Sequence, residues 1–296
     1  MSSSVSAPPG TLYVVATPIG NLEDLSGRAV DVLRAVPLVL CEDTRHSGGL
    51  LRHLGASPRL LSLHAHNEQA RISGVLAHLR GGEDAALISD AGTPCLSDPG
   101  VRVVDATHEA ALPVVSVSGP FAAAVALAGA GLATASFSFW GFLPKKSAAR
   151  RTALVERLTA GPGGEAHSHV VYLPGRDIDA VCLDLEAVAP NARIAIAREL
   201  TKIHEQYLRG TATEVLAQIT AAAARGENKL RGEAVLIVEM TADTVARTTV
   251  KASADELLKA ALLTDEDRKT ALRRIAKETG KSRRLLYARW IELASE

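Results

Sequence analysis

Four stretches in the first half of the chain are apolar on both faces of the strand each would form: residues 11–16 (TLYVVA), 38–41 (LVLC), 85–89 (AALIS) and 114–117 (VVSV). A strand without a polar face must be covered on both sides, and this restricts the architecture more than any other feature of the chain. Between the strands, residues 24–36, 45–54, 67–80, 100–111 and 120–130 space their apolar side chains at helical intervals. Alternation of this kind predicts an α/β domain with a mostly parallel sheet between helical layers. A second series follows. Residues 136–140, 169–173, 193–197 and 234–240 are strand-like, and 147–160, 178–188 and 211–225 are helix-like.

The expected division is a disordered tail over 1–10, an N-terminal α/β domain over 11–131, a C-terminal α/β domain over 132–242 and a basic helical unit over 255–296. The boundary is placed in the weakly periodic segment 129–135. Residues 161–168 (GPGGEAHS) read as a loop, and 241–253 as a linker.

The chain has 296 residues, 47% of them hydrophobic, which suffices for two cores. Lys and Arg total 33, as do Asp and Glu, so any basic surface must be local. Cys41, Cys95 and Cys182 are far apart and lack metal-ligand spacing, which points to a reducing compartment and to no thiolate metal site. The opening MSSSVSAPPG has neither a basic nor an apolar leader segment. No apolar run approaches the roughly 18 residues of a membrane span. A soluble cytoplasmic protein without membrane contact is expected.

In an open α/β sheet, ligands bind beyond the carboxyl ends of the strands. Four such ends carry small or turn-forming residues: Thr17-Pro18-Ile19-Gly20-Asn21, Glu42-Asp43-Thr44-Arg45, Asp90-Ala91-Gly92-Thr93-Pro94 and Ser118-Gly119-Pro120. Small side chains let a ligand approach the backbone closely. Asp90 and Asp98 can accept from ribose hydroxyls or an amino group. No glycine-rich phosphate fingerprint follows the first strand, and the Gly280-Lys281-Ser282 run lacks the rest of a P-loop. Acidic strand ends without a lysine suit a ligand that lacks phosphate, such as S-adenosylmethionine.

The tail has a different character. Nine basic residues and one acid lie between Arg268 and Arg289. Thr264 is placed to cap a helix that Gly280 would end, and Ser282 to cap the next. Leu272, Ile275 and Ala276 would then face Leu285, Leu286 and Trp290, with Tyr287 also read as core, in a helix-turn-helix-like unit.

Seven motifs occur in order: Thr17-Pro18-Ile19-Gly20-Asn21-Leu22, Glu42-Asp43-Thr44-Arg45-His46, His66-Asn67-Glu68, Ser89-Asp90-Ala91-Gly92-Thr93-Pro94, Gly141-Phe142-Leu143-Pro144, Ala197-Arg198-Glu199-Leu200-Thr201-Lys202 and Gly232-Glu233-Ala234-Val235-Leu236-Ile237-Val238. Together, over roughly residues 11–240, they closely resemble the ribosomal RNA small subunit methyltransferase I family of the tetrapyrrole methylase-like (class III) methyltransferases.

The resemblance implies two α/β domains with S-adenosylmethionine in the cleft between them, and a homodimer. It implies methylation of the ribose 2′-hydroxyl of a cytidine in the decoding region of 16S (small-subunit) ribosomal RNA; the assembled 30S subunit is the expected partner, with naked RNA left open by the sequence. By analogy Pro18, Asp90, Ala91, Gly92, Thr93, Asp98, Ser118, Leu173 and Ala234 would surround the cofactor. Where relatives carry Tyr-Glu-Ser, this chain has Tyr172-Leu173-Pro174-Gly175-Arg176, so no role for that Glu or Ser carries over.

Methyl transfer to a ribose hydroxyl requires orientation and loss of a proton. Glu42, Asp43, His66, Glu68 and the Glu199/Lys202 pair are the candidates, with Arg45 and Arg198 to hold phosphates or orient a carboxylate. His64 and His66 alternate as ligands on a strand do, but no third ligand is spaced near them, so no metal is expected. Lys145, Lys146, Arg150 and Arg151, and in the tail Arg273, Arg274, Lys281, Arg283 and Arg284, are the expected RNA contacts. Two other readings stay open on the sequence: a methylase of a small tetrapyrrole-like substrate, and a noncatalytic RNA-binding assembly factor.

Overall fold

The structure, a computed structural model, describes residues 8–159, 166–225, 232–241, 244, 254–263, 267–279 and 281–295. The chain forms two compact units. One comprises Met1–Val125 with Glu199–Glu205, and the other Ala126–Arg198 with Gln206–Glu296.

The first unit is built on five parallel strands, β1 (Leu12–Val15), β2 (Leu38–Cys41), β3 (Arg59–Ser62), β4 (Ala85–Leu87) and β5 (Val114–Val117), in the order β3-β2-β4-β1-β5. Helices α1 (Gly27–Ala35), α2 (Thr44–His53), α3 (Glu68–Arg80), α4 (Val101–Glu109) and α5 (Ala122–Ala130) separate or follow them. The division into units falls inside α5.

The two-residue period of β2 feeds both faces of the sheet. Val39 and Cys41 pack with Ala29, Leu33 and Leu51 on one side, while Leu38 and Leu40 pack with Leu63, Val75 and Leu79 on the other. The first helix begins later than its periodicity predicts. Asn21 accepts from the Glu23 N–H and closes a short 3-10 turn, and Ser26 then caps α1 by accepting from the Ala29 N–H. Strand β3 was not anticipated. It is four residues at the sheet edge with an exposed arginine and no fully buried position, so it carries no apolar run to read.

The second unit has a mixed sheet: β6 (Phe137–Phe142), β7 (His167–Pro174), β8 (Arg193–Arg198), β9 (Gln206–Gly210) and β10 (Glu233–Met240), in the order β6-β7-β10-β8-β9. Only β6 and β7 run parallel; β7, β10, β8 and β9 pair antiparallel. Helices α6 (Ser147–Thr159), α7 (Ile178–Val188) and α8 (Ala212–Ala224) belong to this unit. Thr211 and Glu214 cap α8 reciprocally. Strand β9 also escaped the sequence reading, because Gln206 and Arg209 interrupt its only buried position, Leu208.

Three helices end the chain: α9 (Ala254–Leu263), α10 (Arg268–Thr279) and α11 (Arg283–Ser295). Leu258, Ala271, Ile275, Leu286 and Trp290 form their core. Helix α9 adds a partner the two-helix reading lacked. Ser282 caps α11 as expected, accepting from the Leu285 N–H. Two expected core residues are corrected. Leu285 is 66% exposed and Tyr287 is 42% exposed, with the Arg268 guanidinium 5.2 Å from the tyrosine ring. Thr264, Gly280 and most of 241–253 lie outside the described residues. Among the described residues no helix is long and apolar enough to cross a membrane.

Candidate active site

Because the first sheet is parallel, all five strands end on one edge, and their loops meet there. Thr17, just past β1, exchanges backbone hydrogen bonds with Gly92 (2.9 and 3.0 Å) and donates its hydroxyl to the Ser89 carbonyl at 3.1 Å. The Thr93 hydroxyl donates to the Pro120 carbonyl at 2.9 Å. The loops after β1, β4 and β5 are thereby stitched into one surface. Gly92, at φ +83°, permits the turn, and a Cβ there would sit 3.3 Å from Ile19 Cγ2.

Beside this surface, Glu42, Asp43, Thr44, Arg45, His64, His66 and Asp90 line an open depression of ≈ 580 Å³. Asp43 is the N-cap of α2. Its Oδ1 accepts from the N–H groups of Arg45 (2.8 Å) and His46 (3.4 Å). These bonds, with the Arg45 guanidinium at 3.5 Å, hold its carboxyl below the usual range. The Asp43 N–H in turn donates to Asp90 Oδ1 at 3.3 Å, and His46 Nε2 donates to the Asp90 carbonyl at 3.1 Å. Glu42 is exposed. Arg45 extends into solvent with its side chain 92% exposed.

His64 and His66 follow β3, their rings 6.0 Å apart, with His64 Nδ1 buried and without a partner in the protein. Asn67 fixes this end of β3 by accepting from the His64 N–H and donating to the Ser62 carbonyl. Among the described residues no group of three His, Cys, Asp or Glu side chains is placed to hold a metal.

Glu68 is removed from the list of proton acceptors. It is 6% exposed, and its Oε1 accepts from the N–H groups of Gly100 (3.1 Å) and Arg102 (2.8 Å), where it anchors the start of α4. The neighbouring Cys95 thiol is pushed up to about 11 by burial and by the charges of Glu68 and Asp98. Glu199 and Lys202 form an ion pair at 3.2 Å within the Glu199–Glu205 segment of the same unit. Pro18 and Asp98 are half-buried at this edge, while Ala91 and Ser118 are exposed. Leu173 and Ala234 lie in the second unit, paired across β7 and β10, with side chains 3% exposed in its apolar core.

Arg150 is corrected as an RNA contact. It is 6% exposed, and its guanidinium holds Asp184 Oδ2 through Nη2 at 2.6 Å and Nε at 2.7 Å. Ser147 and Arg151 complete the shell of Asp184, so this cluster docks α6 on α7. The signal was legible. Asp184 shares its helix face with Val181 and Leu185, both buried, and a carboxylate at a core position needs a cationic partner. Lys145, Lys146, Arg273, Lys281, Arg283 and Arg284 are exposed, and Arg274 is half-buried.

Comparison with known proteins agrees with the fold and the motifs. Residues 11–216 match the family described as Tetrapyrrole (Corrin/Porphyrin) Methylases. The chain is 43% identical over 281 residues to a Ribosomal RNA small subunit methyltransferase I of Xylella fastidiosa, covering 94% of this chain and 98% of the relative. It is 44% identical over 231 residues to the protein of that name in Escherichia coli O157:H7, covering 78% of each. Among solved structures, a cobalt precorrin-4 methyltransferase superposes with a TM-score of 0.52 at 15% identity, covering 77% of this chain and 94% of the other. A uroporphyrin-III C-methyltransferase from Thermus thermophilus complexed with S-adenosyl homocysteine superposes at 0.51 and 18%, covering 77% and 97%. These structures share the fold. Motifs, architecture and full-length identity converge: the chain belongs to the ribosomal RNA small subunit methyltransferase I family, a group of S-adenosylmethionine-dependent enzymes of the tetrapyrrole methylase class.

Proposed function

We propose that this protein methylates the ribose 2′-hydroxyl of a cytidine in small-subunit ribosomal RNA, with S-adenosylmethionine as donor. One observation carries the choice of RNA over a small macrocycle. The likeness to the Xylella enzyme spans 281 of 296 residues. It therefore continues past residue 216, where the tetrapyrrole methylase match ends, into the basic three-helix unit.

The strand-end turns fit the cofactor. Residues 17–21, 90–94 and 118–120 contain no lysine or arginine to repel a sulfonium. Ser118 is exposed, and Gly92, in the left-handed region at φ +83°, shapes the turn beside it. Pro18, Asp90, Ala91, Gly92, Thr93, Asp98 and Ser118 are assigned to hold it. Bound there, S-adenosylmethionine supplies an electrophilic methyl group.

Within the depression the carboxylates divide their roles. Asp43 and Asp90 each accept backbone N–H groups through Oδ1. Glu42 is exposed and is assigned as the acceptor of the hydroxyl proton. Arg45 and His66, which line the depression, are assigned to the substrate's phosphate and sugar. The Glu199/Lys202 pair, its charges already joined, braces its turn and is not assigned a proton.

The proposal extends to the assembled 30S subunit as substrate, a homodimer as the active form and the cytoplasm as its place. Self-association is supported by Phe137 and Phe142, 44% and 54% exposed on the edge strand β6. The test is transfer of labelled methyl from S-adenosylmethionine to small subunits lacking the modification, with naked ribosomal RNA in parallel. Label in a ribose-methylated cytidine is expected. Label on neither substrate, with cofactor bound, would move the reading to a small-molecule methylase.

A further inference from the structure

The Glu199–Glu205 segment, which joins β8 to β9, adopts a backbone that its residues do not favour. Glu199 has φ +50° and Thr201 φ +65°, and neither is a glycine. Left-handed backbone at a β-branched residue persists only where the surroundings over-determine it. Here they do. The Lys202 N–H donates to the Glu199 carbonyl at 3.0 Å, and the Glu205 N–H to the Lys202 carbonyl at 3.1 Å. The Thr201 N–H donates to Glu205 Oε2 at 2.7 Å, and Lys202 Nζ pairs with Glu199 at 3.2 Å.

The segment also leans on the site. A Cβ on Gly20 would stand 2.9 Å from the Leu200 carbonyl oxygen, Lys202 Cγ and Thr201 Oγ1. Gly20 is exchangeable for no other residue without moving this contact. Its loop is the one whose Thr17 pairs with Gly92. A continuous run of contacts thus leads from the segment to the strand-end turns.

What this rigid turn displays is Ile203, 97% exposed. A lone exposed isoleucine needs no explanation on an ordinary surface. This one stands on a strained, braced turn against the candidate site, flanked by the exposed Lys202, His204 and Glu205. So little apolar area among polar neighbours is a poor seat for a protein surface. It suits the flat apolar face of one nucleobase. In RNA loops and bulges the bases are splayed out of the stack, and each then presents an uncovered face to a protein side chain.

We propose that Glu199–Glu205 is a rigid probe that sets Ile203 against the face of an unstacked nucleobase beside the target nucleotide. The role is one of substrate positioning, and it rests on the transfer of methyl to RNA proposed above. Isoleucine is among the apolar side chains that wedge between bases elsewhere. Lys202 is kept from competing for phosphate by its pairing with Glu199.

The experiment is steady-state methyl transfer to small subunits by the full chain and by Ile203→Ala, Ile203→Ser and Ile203→Leu. Wild-type transfer to RNA is established first. If the wild type labels no RNA, the functional reading fails before any variant is compared, and the probe falls with it. With the wild type active, Ile203→Ala and Ile203→Ser are expected to raise KM for RNA about tenfold, the scale of losing one base contact. The kcat, S-adenosylmethionine affinity and unfolding midpoint should stay within about twofold or unmoved, and Ile203→Leu should restore KM. An unchanged KM in the alanine variant would overturn the proposal. So would a shift in sedimentation with unchanged RNA kinetics, which would assign Ile203 to a contact between copies of the chain.

Discussion

Both units gather histidines and carboxylates, but the two gatherings do opposite things. At the strand ends of the first sheet, Glu42, Arg45 and His66 are exposed around an open depression. In the second unit His167, His169, Asp184 and Glu239 are all buried. There the two carboxylates and the His167 ring are answered from within, while the His169 ring is sealed without a partner. His167 bonds Ser136 and Ser138 at 2.8 Å, and Glu239 accepts from the Ala133 N–H at 2.8 Å and from Arg193 at 2.9 Å. A cluster of titratable groups is therefore no site by itself; access decides. Sheet topology produces the difference. Parallel strands deliver every carboxyl end to one edge, whereas antiparallel pairing sends successive ends to opposite edges.

The comparison breaks first at Glu42. Glu42→Gln should lower kcat for methyl transfer about 10²-fold or more while leaving unfolding and cofactor affinity unchanged. A kcat within threefold of wild type would move the proton to another group and leave the depression without an assigned base.

The converse test is Asp184→Asn. It strands the buried Arg150 guanidinium and should cost about 3–5 kcal/mol in denaturant unfolding, with normal turnover wherever the protein remains folded. Selective loss of activity without loss of stability would make the sealed network functional.

His169 sharpens the contrast through pH. Burial and the adjacent His167 push its imidazole down to about 4, and both ring nitrogens lack a partner in the protein. The folded protein keeps this ring neutral, while the unfolded chain protonates it near the ordinary 6.5. Its contribution is complete above that pH and is lost as the pH falls toward 4, by about 1.4 kcal/mol per unit. His167, also lowered by burial, acts in the same direction. His169→Phe should flatten most of the decline in unfolding midpoint between pH 6.5 and 4. An undiminished slope would place its origin elsewhere.

The smallest effect is expected in the tail. Arg283→Gln with Arg284→Gln should weaken RNA binding and reduce the slope of log affinity against log salt by about 1.4 to 1.8. An unchanged slope would remove α11 from the RNA surface.

The strands with no polar face were legible in the sequence, because burial on both sides leaves only apolar residues to choose from. Strands β3 and β9 were not, since edge positions relax that demand and admit Arg59, Gln206 and Arg209. The motif His66-Asn67-Glu68 was visible as a unit, yet its members serve different ends. His66 lines the depression, Asn67 ties off β3, and Glu68 holds Gly100 and Arg102 from the interior. Arg150 looked like its neighbours Lys145 and Lys146, and only its phase on α6 turned it inward to Asp184.

By itself the sequence determined the class of fold, the family, the acidic and small character of the strand ends, and the basic character of the tail. Each of these follows from local composition and period. Tertiary structure decided which charges face water and which are neutralised inside, and that Glu199–Glu205 groups with the first unit although β8 and β9 belong to the second. Burial and partnership are properties of residues distant in the chain, such as Arg150 and Asp184, with a sequence separation of 34, or Glu68 and Gly100, with one of 32. A local pattern can flag a carboxylate in a core phase, as Asp184 on α7, but not the residue that neutralises it, because the energy of a charge depends on what the fold brings beside it.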